Sequence, residues 1–263
     1  MPDTAMSRSF ASRDALAGYL KQEFPHAQGE LSQTSGGAIA ARHLLEQFSA
    51  GNYAASRNFL RGEVSRLSPY LRHGVLTLSE VRRFLAKKYQ GLDRLLKFIQ
   101  ELAWRDYWQR IYAEAPGYIW NDVEPLKTGK QSGDYKGTLP PAVEDATTGL
   151  ACMDAFVTEL NTTGYLHNHA RMWFAAYLVH WCGVSWKTGA RFFLSHLLDG
   201  DPASNNLSWQ WIASTFSSKP YIFNRENLEH YSGGIYCQDC PSKNKCPFDR
   251  SYEELTERLF PLV

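Results

Sequence analysis

From Ala38 onward the apolar residues recur at three- and four-residue intervals, and no stretch alternates apolar with polar positions. The first pattern belongs to helices that bury one face, the second to strands, so the chain reads as all-α. Residues 92–114 are the clearest case, with Leu92, Leu95, Leu96, Ile99, Leu102 and Ala103 at helical spacing. Thr77 and Glu80 form a capping box that predicts a helix running to about Tyr89. Further helices are expected over 153–162, 167–182 and 186–198, with Gly164, Gly183 and Gly200 at the breaks. Residues 116–150, rich in Gly, Pro and Lys, read as a long ordered connection. Residues 1–37 read as a leader or extension ending in a Gly/Ser/Thr break at Ser32–Gly37, and 38–263 as one domain. No internal repeat or low-complexity tract interrupts it.

Composition narrows the function. Hydrophobic residues make up 44% of the chain, enough for a substantial core, and aromatics 14%, which suits either core or a site that stacks planar ligands. The net charge of +1 excludes binding of nucleic acid by bulk charge, so any DNA contact needs a local patch. No run of 18 apolar residues indicates a membrane span, and the N-terminus lacks the apolar segment of a secretory signal. The expectation is a reducing, cytoplasmic setting, where the five cysteines are metal ligands or inert thiols rather than disulfides.

Chemistry concentrates between Gly164 and Trp211. Asn168, Arg171 and Met172 share a helix face by i, i+3, i+4 spacing. Asp199, Asp201, the amides Asn205 and Asn206, and Trp209 and Trp211 follow. Such a set is costly to bury unless it holds something polar and aromatic. Taken alone, Arg171 and Asp199 could be an ion pair in a solvated groove, and Asp199 with Asp201 a hard-metal site. Upstream, Tyr53 and GEVSRLSPYLRHG (62–74) put Ser65 and Ser68 before a helix, as a simple cap or as a phosphate site. In ELAWRDYW (101–108), Glu101, Trp104 and Arg105 share a face. Cys237, Cys240 and Cys246 form C-x-x-C-x5-C, a metal-site pattern whose fourth ligand would be Cys152 or Cys182.

In this order the motifs closely resemble the FAD-binding helical domain of the photolyase/cryptochrome family. The segments that carry the resemblance are GYLHNHARM (164–172), DGD (199–201) and NNLSWQW (205–211), over roughly 40–225. The resemblance implies an all-α, photolyase-like fold that holds FAD, without the parallel-sheet antenna domain that usually precedes it. It makes Tyr53, Ser65, Arg66, Leu67 and Ser68 the phosphate loop, with Val64 where the family has threonine. It makes Arg105, Arg171, Asp199 and Asp201 cofactor-binding residues and puts Asn205 opposite flavin N5. An amide there can accept a hydrogen bond from the reduced ring.

The resemblance also gives Glu101 a hydrogen bond to a pyrimidine pair, Trp104 and Trp211 the stacking walls, and Met172 the floor. Asn168, where enzymes acting on (6-4) photoproducts commonly carry histidine, favours cyclobutane dimers. Trp209 and Trp186 match the inner and middle tryptophans of the electron path, and Val143 stands where the outer one is usual. Cys152 with Cys237, Cys240 and Cys246 matches a bacterial sub-group that carries a 4Fe–4S cluster, with structural zinc as the alternative. The implied function is light-driven repair of cyclobutane pyrimidine dimers in DNA, single- or double-stranded. A blue-light sensor without repair is the alternative. A helical iron–sulfur nucleic-acid module of the primase large-subunit type is a third class, but it has no need of Asn205 or the phosphate loop. Any protein partner in place of the antenna domain is unspecified.

Overall fold

The computed structural model describes residues 6–26 and 31–263, so residues 1–5 and 27–30 of the expected leader lie outside the described residues. Along the chain come α1 (Arg13–Glu23), α2 (Gly37–Gln47), α3 (Tyr53–Ser56), α4 (Ser68–Arg72), α5 (Leu78–Lys88) and α6 (Leu96–Glu114). After a long connection follow α7 (Pro141–Glu144), α8 (Ala151–Thr163), α9 (Asn168–Ala176), α10 (Trp186–His196), α11 (Pro202–Ala213), α12 (Arg225–Ser232) and α13 (Tyr252–Leu259). Among the described residues the only β pairing is an isolated bridge between Lys136 and Val184, so the all-α expectation is met. No described helix is long and apolar enough to cross a membrane.

The expected start of α5 is in place. Thr77 Oγ1 accepts from Glu80 N at 3.1 Å, and Glu80 Oε2 accepts from Thr77 N at 2.7 Å. The expected helix 167–182 divides in two: α9 passes into a π turn, Tyr177–Trp181, before Gly183 breaks it. α1 was not marked by the hydrophobic pattern, and the reason is physical: it buries no residue, so no apolar stripe was required of it. The break that follows is pinned to the domain, by Ser32 Oγ to Thr163 O (2.5 Å) and by Tyr70 Oη to Ser35 O (2.6 Å).

Two main apolar cores result, with small satellites around Ile119 and Leu255. The larger joins α8, α9, α10 and α11 with Phe223 and Phe248. The smaller joins α2, α4, α5 and the start of α6. α6 buries only Phe98 and leaves the rest of its surface half-buried or exposed. The polar residues of α11 explain how the 116–150 connection is ordered. Asn206 donates to Ile119 O at 2.7 Å, and Gln210 donates to Tyr118 O at 2.5 Å and accepts from Val123 N at 3.0 Å. These buried amides thus clamp backbone groups that would otherwise lack partners.

Trp209 departs from the polar setting expected of it. It is buried against Phe193, with ring centroids 5.1 Å apart, and its ring presses on Gly189 of α10. A Cβ at Gly189 would meet the Trp209 ring at 2.3 Å. Alanine in a helix gains about 0.8–1.0 kcal/mol over glycine, but overpacking costs about 1–3 kcal/mol. Gly189→Ala should therefore lower the urea midpoint. An unchanged or higher midpoint would mean that this contact does not exist.

Candidate functional site

The polar cleft is assembled from segments far apart in sequence. Arg72 Nε donates to Gly200 O (2.7 Å) and His73 Nε2 to Leu198 O (2.9 Å), tying α4 to the loop before α11. Leu198 N donates to Gly164 O at 2.8 Å, where Gly164 has φ 66° and ends α8. The 62–74 and 164–201 motifs thereby share one wall.

Arg171 is aimed across this wall. Its Nε donates to Leu166 O at 2.8 Å and its Nη2 to Asp199 Oδ2 at 2.9 Å. Burial by itself would raise the Asp199 carboxyl. The Arg171 guanidinium and the Ser68 hydroxyl outweigh it and hold the group below its ordinary value. Asp199 is therefore an ionised, buried carboxylate, and its Oδ1 has no partner. Two guanidinium groups lie over the Tyr165 ring, that of Arg66 at 5.1 Å and that of Arg171 at 5.6 Å from its centroid. Arg66 holds φ 51°, a left-handed conformation that an L residue adopts only where its surroundings impose it.

The facing wall is α6 and α11. Asp201 caps α11 through Oδ1, which accepts from Ser204 N at 2.8 Å. Its Oδ2 receives Gln109 Nε2 at 2.5 Å and lies 3.6 Å from Arg105 Nη2. Asn205 uses both amide protons, on Ala190 O (3.0 Å) and Asn206 Oδ1 (2.9 Å). Its own Oδ1 is left as an acceptor, as a group facing a protonated flavin nitrogen would need.

Glu101 sits further along α6. It receives Arg57 Nη1 at 2.6 Å and Lys97 Nζ at 3.0 Å, so one carboxylate is held between two cations. Tyr53 packs edge-on against Phe98 at 5.2 Å, and its phenol is pushed up to about 12, by burial first and then by Glu101. Trp104 is 49% exposed and stacks on Trp108 with centroids 5.2 Å apart and planes 26° apart. Trp108, missed by the sequence reading, in turn packs edge-on against Phe216 at 5.5 Å, just past α11. Trp211 is 41% exposed beside Tyr221. Asn168 and Met172 remain together, Nδ2 to Sδ at 3.7 Å, whereas Arg171 turns away from them to Asp199. Trp186 is buried at the start of α10, and its Nε1 donates to Asp122 Oδ1 at 2.7 Å.

The unpartnered groups of the cleft bear on what it can hold. Five buried side-chain polar atoms among the described residues have no partner. Four of them, Glu63 Oε2, His167 Nε2, Asp199 Oδ1 and Ser204 Oγ, belong to the segments of this cleft. His167 Nδ1 accepts from His169 N at 3.1 Å, and burial pushes the ring down to about 4, so its Nε2 is an unused donor at neutral pH. A cleft that leaves the His167 donor, the Ser204 hydroxyl and two carboxylate oxygens without internal partners, with Arg66 and Arg171 beside them, fits a polar ligand such as FAD.

The four singled-out cysteines also converge. Cys152, Cys237, Cys240 and Cys246 line one small cavity between α8, α12 and the C-terminal segment, together with Phe248 and Arg225. Burial raises the Cys152 thiol strongly, the Cys237 thiol to about 11 and the Cys246 thiol above its ordinary value. Without a cation these groups stay protonated, and a metal would reverse that. No three His, Cys, Asp or Glu side chains among the described residues are arranged to hold a single metal ion. Tetrahedral zinc would draw the sulfurs to about 3.8 Å from one another. Cys182 lies outside this cavity, at the end of the π turn beside Tyr177.

Comparison with known proteins agrees with this geometry. Residues 98–232 match the model of the FAD binding domain of DNA photolyase. A deoxyribodipyrimidine photo-lyase of Streptomyces griseus is 36% identical over 185 residues, 68% of this chain and 39% of that protein. One of Escherichia coli is 34% identical over 213 residues, 78% of this chain and 45% of that protein. The chain thus spans less than half the length of these relatives. In fold it is similar to a bacterial class III photolyase from Agrobacterium tumefaciens, at TM-score 0.70 and 20% identity over 95% of this chain and 58% of that one. On this sequence similarity and shared fold, the chain belongs to the photolyase/cryptochrome family and carries that family's FAD-binding helical domain.

Proposed function

We propose that this protein splits cyclobutane pyrimidine dimers in DNA with light, using FAD held in the cleft between α4, α9, α11 and α6. Bound and reduced, FAD supplies the excited electron. The protein's own groups do the rest. The Arg171–Asp199 pair and the Asn205 acceptor orient the ring. The Ser65–Ser68 segment, with Arg66, meets the phosphates. The observation that carries the repair reading is the pair of half-exposed indoles, Trp104 on α6 and Trp211 on α11, the two packed helices of one wall of the cleft. Indoles left in water on two adjoining helices suit the binding of a flipped, stacked base pair, and a sensor has no need of both. Glu101 is held between Arg57 and Lys97, and in this reading it offers an acceptor beside two cations to the charge that develops on the dimer.

Glu101→Ala should slow splitting more than it weakens binding, because its hydrogen bonds count most once charge has developed. Trp104→Ala should instead weaken dimer binding, by about 1–3 kcal/mol. Equal loss of rate and affinity in both variants would remove these separate roles. Single-stranded and duplex oligonucleotides should both be tried. We propose further that the four clustered cysteines hold a 4Fe–4S cluster. The cavity shared by all four cysteines supports a common metal site, and the resemblance of their pattern to the iron–sulfur sub-group favours a cluster over zinc.

A further inference from the structure

One large cavity, of about 290 Å³, takes no part in the cleft or the cysteine cluster. Its wall includes Trp186, Asp122, Tyr135, Lys187, Thr188 and Arg191. Four observations meet there. Val143, at the place where an outer tryptophan is usual, is 1% exposed and part of the larger core, so no indole leads to the surface from it. Trp186 precedes Gly189 by three residues on α10, and Gly189 is where the Trp209 ring presses. The two indoles therefore adjoin one helix face, with Trp209 inward and Trp186 on the cavity.

The Trp186 N–H is held by a carboxylate. Asp122 Oδ1 accepts it at 2.7 Å, and Ser132 Oγ donates to Asp122 Oδ2. Finally, Lys187 and Arg191 stand one turn apart, and neither pairs with a carboxylate among the described residues. Each instead lies over an indole, Lys187 Nζ 5.7 Å from the Trp186 ring and Arg191 6.0 Å from that of Trp120.

We infer that this cavity is the docking site of a small anionic one-electron reductant, of the enediolate or thiolate class, and that Trp186 is the last tryptophan of the inward electron path. The inference rests on the proposed FAD reading. In this reading Trp209 would serve as the electron donor to light-excited FAD, and Trp186 would refill Trp209. The Trp186 ring is then one electron short, and its N–H proton stays in the hydrogen bond to Asp122, whose charge offsets the missing electron. The docked anion gives one electron to Trp186, with no bond formed or broken, and leaves as its own one-electron-oxidised form. Lys187 alone would oppose a positive charge on the Trp186 ring, and an anion beside it cancels that opposition. Asp122 is thus a positioning residue for the hole, and Lys187 and Arg191 are ligand-binding residues.

The probe is ascorbate, and two readouts separate this inference from the FAD reading. Equilibrium dialysis in the dark reads the site whether or not flavin is held. It should show saturable ascorbate binding that Lys187→Gln/Arg191→Gln weakens about tenfold, as expected for losing roughly 1.4 kcal/mol of charge interaction. In flavin-containing protein under anaerobic blue light, initial bleaching should saturate with ascorbate. The double variant should need about tenfold more to reach half its maximum. Asp122→Asn, isosteric but uncharged, should lower the maximum itself about tenfold by the same arithmetic. Trp186→Phe should stop bleaching while dark binding persists. Protein without flavin would overturn the FAD reading, and the dialysis would still decide the site. No saturable dark binding, or bleaching linear in ascorbate and indifferent to Lys187→Gln/Arg191→Gln, would overturn the inference.

Discussion

Replacing Arg171 with leucine should destabilise the protein by about 3–5 kcal/mol, the cost of removing one partner of a buried ion pair. The side chain of Asp199 is 6% exposed, so it cannot recover its lost partner from water. Removing both charges, in Arg171→Leu/Asp199→Leu, should cost less than Arg171→Leu alone, because no charge remains buried unpaired. The pH profile gives an independent check. In the wild type the Asp199 carboxyl lies below its unfolded value of about 3.9. Its contribution is therefore present above that pH and is lost as pH falls through the lower, folded value. In Arg171→Leu burial is no longer outweighed, and the folded value rises above the unfolded one. The sign then reverses: the contribution is present below about pH 4 and is lost as pH rises. Urea unfolding from pH 3 to 7 reads both slopes. Parallel profiles for wild type and variant would show that the pair does not control Asp199.

The second large effect should come from the cysteines. Changing Cys152, Cys237, Cys240 or Cys246 to serine should remove the metal, and Cys182→Ser should leave it. Binding of a structural metal is folding energy, on the order of 10–16 kcal/mol for zinc in small domains. Even a fraction of that approaches the whole stability of a typical domain. The segment from α12 to α13 has the cysteine cavity as one of its anchors to α8, so it should lose protection from proteolysis first. Anaerobically prepared protein should contain iron and sulfide. Stoichiometric zinc without either would reject the cluster and leave the four-cysteine site.

α5, α8, α9 and α10 were legible because each buries an apolar face, and periodicity records burial, whereas α6 was legible from its spacing although it begins only at Leu96 and buries only Phe98. α1 escaped that reading because it buries nothing. The residue types of the cleft were legible too, but not its assembly. The contacts of Arg72 with Gly200 and of His73 with Leu198 cross more than 120 positions, and no local pattern encodes such a pairing. Arg66 could not be foreseen in a left-handed conformation, since only glycine advertises one. Asn205 and Asn206 looked alike as neighbours, yet one faces the cleft and the other clamps Ile119, a division set by helix rotation. Trp209 read as polar from its company, while its ring is part of the apolar core. Trp108 was hidden in an aromatic run, and only its stacking under Trp104 marks it as support for the exposed wall.

The central claim is best tested by illuminating fully reduced, flavin-containing protein with an oligonucleotide carrying one cyclobutane thymine dimer. Starting from reduced protein bypasses the inward electron path, so a failure there cannot imitate an inactive cleft. The account predicts restored thymines in the light, none in the dark, and sharply slower restoration with Glu101→Ala. Intact dimers after illumination, on both single- and double-stranded DNA and with reduced FAD bound, would contradict it.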